Sequence, residues 1–346
     1  MKKNLLAIAV GAALASPMMM PGAALAGGPK VYGKVNVSLE NMNYDPAPAS
    51  PNNDDEWELQ SNASRLGVKG DFDLDVADLK AVYKAEFEIS VDDGDKDGQT
   101  FSQRNIYGGF QGGFGTLIAG KFDTPTKKAQ MDVDQFNDLD GDIKNIAAGE
   151  NRVSNIIQYS TPKLADLVTL NVAFIPNEDS DDFDNDGENE NGLADSTSIS
   201  LTMEQDAFYA AVSRDTDIED DLIVDGTGLP VSVLDITRLA AGLNMDVFEV
   251  GALYQIAEES EGDGEENSYV VSGAFKIDRV KLKAQYGMVD GDQTDNEGTQ
   301  YAFGADYKLA KNSKVYAYFN ELTYEDGTTG DEEEERTLGV GMEHKF

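Results

Sequence analysis

From residue 30 onward the chain alternates apolar and polar positions in short runs, each closed by a cluster of Gly, Asp, Asn or Pro. The run "KVYGKVNVSLE" puts Val31, Gly33, Val35, Val37 and Leu39 on one face and Lys34, Asn36, Ser38 and Glu40 on the other. In "LKAVYKAEFEIS" Leu79, Ala81, Tyr83, Ala85, Phe87 and Ile89 face one way, with Lys80, Lys84, Glu86 and Glu88 opposite. A helix would scatter those charges around a cylinder, whereas the period of two in a strand sorts them. The same test predicts sixteen strands, near 30–41, 57–71, 76–91, 101–112, 115–123, 151–161, 166–176, 195–205, 206–214, 234–246, 247–258, 267–277, 279–289, 299–310, 313–324 and 336–346.

The connections fall into two kinds. Some are tight, such as 205–206, 278–279 and 310–313; others are long and acidic, such as 176–196, 258–267, 290–299 and 325–336. Segregation of short turns from long polar loops is expected of an up-and-down barrel whose two rims meet different compartments. Alternation alone does not separate that barrel from a soluble sandwich, because only the medium outside the apolar face differs. Sixteen strands joined as hairpins would need several sandwiches, and no linker divides the chain. Aromatic residues on the apolar faces near strand ends, Phe174, Tyr301, Phe303, Tyr307 and Phe346, fit interfacial girdles.

The first 26 residues read differently. Lys2 and Lys3 precede an apolar run from Leu5 to Ala15, and the segment ends on Ala24-Leu25-Ala26, the form of a secretory signal with cleavage expected before Gly27. Pro17 and Pro21 break the run short of an anchor helix. The formal charge of −38 becomes −40 once those two lysines are lost, so binding to nucleic acid or to an anionic lipid surface is disfavoured. With no cysteine in an exported chain, disulfides do not stabilise it; one large hydrogen-bonded structure or a metal must.

Few motifs suggest other chemistry. Two stretches have D-x-D-x-D-G spacing, Asp93/Asp95/Asp97 and Asp182/Asp184/Asp186, but the twelfth position of a calcium loop is Arg104 in one and Leu193 in the other, leaving weak calcium binding or a plain solvated loop. His344 is the lone histidine, reads as structural, and leaves no partner for a histidine pair. The glycines of 108–115 lack a strand-to-helix context for nucleotide binding. No cofactor and no enzymatic activity are expected. The alternatives are a soluble, secreted, acidic β-rich protein of calcium-binding or surface-layer type, and a substrate-specific channel.

The stretches "KVYGKVNVSLE", "SRLGVKGDFDL" at 64–74, "FSQRNIYGGFQGGFGTLIAGKFDTP" at 101–125, "NRVSNIIQYSTP" at 151–162 and the terminal "GVGMEHKF" resemble the general Gram-negative outer-membrane porins. The resemblance implies an all-β, 16-stranded antiparallel transmembrane β-barrel, one domain over 27–346, with an inward-folded constriction loop at about 123–150. It implies passive diffusion of ions and small hydrophilic solutes, a homotrimer, outer-membrane lipid as surroundings, and Phe346 as an assembly signal read by the outer-membrane assembly machinery. The loop would present Asp132, Asp134, Asp138, Asp140 and Asp142 to a basic wall. Strand parity turns Arg65, Lys69 and Lys84 inward; the resemblance adds Arg104, Lys121 and Arg152. The excess of acid departs from the family and favours cations over anions.

Overall fold

In a computed structural model, the structure describes residues 28–45, 54–76, 78–93, 99–177, 192–225 and 232–346. The expected signal segment and Asp182, Asp184 and Asp186 lie outside them. One antiparallel sheet closes on itself, each strand paired with the next and β1 (Lys30–Asp45) paired with β17 (Glu332–Lys345) from Lys34↔Lys345 to Asp45↔Glu334. Among the described residues every strand is hydrogen-bonded into this closed sheet, which is the condition for strands to cross a bilayer.

The expected second strand is two segments, β2 (Asp54–Ser61) and β3 (Arg65–Asp73), both paired with β1. Ala63 between them has φ 49°, so the strand kinks there and resumes. Seventeen segments therefore build sixteen crossings. The others are β4 (Lys80–Ile89), β5 (Phe101–Gly112), β6 (Gly115–Asp123), β7 (Arg152–Ser160), β8 (Val168–Ile175), β9 (Ser196–Gln205), β10 (Phe208–Glu219), β11 (Val233–Asn244), β12 (Phe248–Glu259), β13 (Glu265–Ile277), β14 (Val280–Gly291), β15 (Glu297–Ala310) and β16 (Ser313–Glu325). Asp206 and Asp278 turn two of the tight hairpins with φ near 50°, a conformation that aspartate tolerates better than most residues.

The apolar face points outward. Val271, Phe303, Leu338, Val340 and Phe346 are all more than half exposed, and Phe174, Tyr301 and Tyr307 share that face, as expected for the girdles. Alternate positions point in. On β17 the inward glycines have a steric reason: a Cβ on Gly339 would lie 2.2 Å from the Tyr318 ring, and one on Gly341 2.4 Å from that of Tyr316. Those tyrosines sit flat against the inner wall, with the Tyr316 hydroxyl donating to Asn36 at 2.8 Å and that of Tyr318 to Glu40 at 2.6 Å. At the seam, Phe346 exchanges backbone hydrogen bonds of 3.0 Å with Gly33 and lays its ring over that glycine.

The inner wall is not uniformly polar, contrary to what alternation alone suggests. Tyr209, Ala240, Leu253, Val270, Val289 and Leu322 are inward, buried and apolar. They are covered by the 124–150 segment, whose Val133, Ile143 and Ile146 are fully enclosed against them. A second cluster packs Phe136 and Leu139 on Ala302, Tyr316 and Tyr318. Most of the hydrophobic core thus lies inside the barrel along β10–β17, with a smaller cluster of Phe122, Ile156 and Ala173 on β6–β8, and the burial of those loop side chains is what fixes the segment there.

Candidate functional site

The 124–150 segment begins with Thr124, whose hydroxyl caps the short helix Pro125–Lys128 by accepting from Lys127 N at 3.1 Å. It then crosses the interior, held by inward side chains of the far wall. Lys283 donates to the Gln135 carbonyl at 2.9 Å, Gln285 to that of Gly141 at 2.9 Å, and Ser272 to that of Val133. At its end, fully buried Arg238 reaches Glu150 at 2.7 Å and the Ala148 carbonyl at 2.7 Å. Asp220, just beyond β10, accepts from Gly149 N at 2.6 Å and Asn151 at 3.0 Å, so a second loop also bends inward onto the first.

With β10–β17 covered, open space remains between this segment and β1–β7. That space, about 590 Å³, is lined by seven basic and seven acidic side chains. Its centre is Asp138, which Lys34 approaches at 2.6 Å, Arg65 contacts directly, and Arg104 faces at 4.0 Å. Burial alone would raise this carboxyl; Lys34 and Arg65 outweigh it and hold it below the usual carboxylate range. Arg104 also meets Glu88 at 2.5 Å and Glu86 at 3.4 Å, Lys84 meets Glu86 at 3.2 Å, and Arg152 meets Asp123 at 2.8 Å. Lys69 lies over the Tyr32 ring, 4.8 Å from its centre, in an adjoining space toward the short-turn rim.

Arg65, Lys84, Arg104 and Arg152 all line this space. Lys121 does not. It pairs with Ile106 on the face shared by Phe110 and Leu117, both exposed, so it points outward. The register slips here by one extra residue on β7, where Asn155 has φ 58° between Ile156 and Val153; beyond it Phe122 stays buried and Asp123, at the end of β6, lines the inner space. Of the five loop acids, Asp138 alone meets the bases directly. Asp134 accepts from Phe136 N, Asp142 caps the turn Ile143–Asn145 through Lys144 N, Asp140 holds Asn320 at 3.2 Å, and Asp132 holds Asn244 at 3.1 Å.

Sequence reasoning passed over Lys34, Glu86, Glu88 and Asp123 as site residues. The first three stood on the polar faces already sorted by parity, so counting both signs of charge there would have found them. Arg238 and Glu150 carried no local signal.

A closed barrel with an apolar exterior and an opposed-charge gap is a channel architecture, and comparison with known proteins decides its kind. The profile of the family described as Gram-negative porin matches residues 9–327. The chain is a Gram-negative porin. It is 24% identical over 316 residues to the major outer membrane protein P.IB of Neisseria gonorrhoeae, covering 84% of this chain and 85% of that one. It is 25% identical over 382 residues to the protein of the same name from Neisseria sicca, covering 100% of both. Its fold is similar to an anion-selective porin from Comamonas acidovorans, at TM-score 0.72 and 20% identity over 92% of this chain and 100% of that one. OmpT of Vibrio cholerae in a trimer form gives TM-score 0.64 at 16% identity, covering 93% and 100%.

The porin is an integral outer-membrane β-barrel that forms a channel and is not an enzyme. The alternative of a soluble calcium-binding or surface-layer protein is thereby overturned, since the exposed apolar belt requires lipid. Among the described residues, no group of His, Asp and Glu side chains is arranged to hold a metal ion.

Proposed function

We propose that the channel is a water-filled route for passive diffusion of ions and small hydrophilic solutes, constricted by the 124–150 segment and preferring cations. The observation carrying this reading is the bridge from Asp138 to Lys34, Arg65 and Arg104 across the remaining gap. Opposed charges around a narrow passage set up a transverse field that orients polar solutes while leaving small ions mobile. Because the lining holds equal numbers of both signs, selectivity falls to the long acidic loops, which concentrate cations at the outer mouth. The Comamonas relative is anion-selective; the 65 acidic against 27 basic residues here argue for the opposite sign.

Residues 1–26 act as a cleaved signal segment, the working form is a homotrimer, and Phe346 is read during assembly. An OmpT solved as a trimer and the seam position of Phe346 support the last two. Purified protein in planar bilayers should give conductance steps, with a reversal potential of cation-selective sign in a KCl gradient. A folded preparation without steps would overturn the channel; steps of anion-selective sign would overturn only the preference.

A further inference from the structure

The short-turn mouth inverts the charge balance of the chain. A recess of about 390 Å³ between hairpins β13–β14 and β15–β16 and the end of β17 is lined by seven bases and three acids. Four of the bases have a carboxylate partner: Lys276 and Lys281 share Glu249 at 2.5 and 2.7 Å, Lys314 meets Asp306 at 2.8 Å, and Lys345 meets Glu343 at 3.1 Å. Arg279, Lys308 and Lys311 are exposed and have no side-chain partner among the described residues.

The register makes this arrangement costly. Lys276 stands directly opposite Lys281, and Lys308 directly opposite Lys314. Like charges facing each other across a ladder destabilise it. Glu249 relieves the first pair, but Asp306 serves only one member of the second, leaving Lys308 unmatched.

Parity also says which way these bases point. Phe275, Ile277, Tyr307, Leu309 and Val315 are the outward, exposed neighbours, so Lys276, Lys308 and Lys314 face the lumen, and Arg279 and Lys311 project from the turn tips. A lipid headgroup is thus out of reach of the inward members. The recess shares Glu343 and Lys345 with the space that continues to Lys34, Arg65 and Lys69, so it opens onto the conduction path.

We propose that this recess is a binding site for a soluble, multiply charged phosphate-bearing anion, occupied from the periplasmic side. Lysine ammonium groups bind phosphate as point charges without requiring a fixed fork geometry, and three unpaired cations around one recess suit a dianion or higher. Short turns face the periplasm in outer-membrane barrels, which gives the site its side.

The test uses folded, detergent-purified porin, sodium pyrophosphate as probe, and an Arg279→Gln/Lys308→Gln/Lys311→Gln variant, with an Arg279→Gln/Lys311→Gln variant confined to the turn tips as the second version. Calorimetric titration should show saturable binding whose half-point rises about tenfold in the triple variant. In planar bilayers pyrophosphate should reduce current only from the short-turn side, while the KCl conductance of both variants persists. Equal half-points in wild type and variants, equal block from both sides, or an identical effect of sodium sulfate at matched ionic strength would each overturn the site. None of these would touch the channel itself, whose failure would be loss of KCl conductance.

Discussion

Replacing Asp138 with Asn removes one negative charge from the space between the 124–150 segment and the basic wall while keeping the side chain's size. The lining of seven bases and seven acids then carries one excess positive charge. An ion passing about 5 Å away feels about 0.8 kcal/mol from a unit charge at the dielectric constant of water. Screening over a Debye length of about 10 Å in 0.1 M salt leaves about 0.5 kcal/mol. The change acts with opposite sign on cations and anions, so their permeability ratio should shift by about 1 kcal/mol, or about fivefold, toward anions. The reversal potential across a tenfold KCl gradient measures this directly. Asp132→Asn is the internal comparison, because Asp132 binds Asn244 outside the basic cluster and should move the potential less than half as far. An Asp138→Asn channel with normal fold and an unchanged reversal potential would refute the inference that ions pass beside this cluster.

Arg238→Met leaves Glu150 enclosed without its main cation, at a cost of about 3–5 kcal/mol, and frees the end of the 124–150 segment; larger and noisier single-channel steps should follow, with faster tryptic cleavage within 124–150 of the folded protein. Gly341→Val forces a side chain against the Tyr316 ring, 2.4 Å from where its Cβ would stand; about 1–3 kcal/mol of overpacking should lower the temperature at which the barrel loses its fast migration on unboiled gels. Deleting Phe346 removes the backbone exchange with Gly33; the yield in the outer membrane should fall severalfold, while channels that do insert keep near-normal conductance.

The barrel was legible because a lipid-facing strand must repeat its chemistry every second residue, and β12 to β17 do so with few interruptions. Legibility ended where parity is broken. At Asn62–Ser64 the φ of Ala63 divides a strand that sequence reads as continuous, and between Ile156 and Val153 an extra residue on β7 slips the register where β6 ends, so that Asp123 lines the inner space while Lys121 does not. The inward bases Arg65 and Lys84 followed from alternation. Their acidic neighbours Glu86 and Glu88 stand on the same polar face and follow from the same alternation. Roles inside 124–150 were hidden for a different reason: five aspartates in a loop look alike in sequence. Only tertiary contact distinguishes the one that bridges the lumen from those that cap turns or hold amides, and Arg238 enters this region from 88 residues beyond Glu150.

The apolar patch under the 124–150 segment gives the channel two kinds of cohesion. The barrel frame is held by ladder hydrogen bonds in lipid, whereas the occluding segment is held by a small water-excluded core of the kind found in soluble domains. Such cores weaken on cooling because the free energy of hiding apolar surface from water fades. The bore of this channel therefore has its own heat capacity: chilling should loosen the inner segment and widen the passage while the surrounding wall keeps its shape.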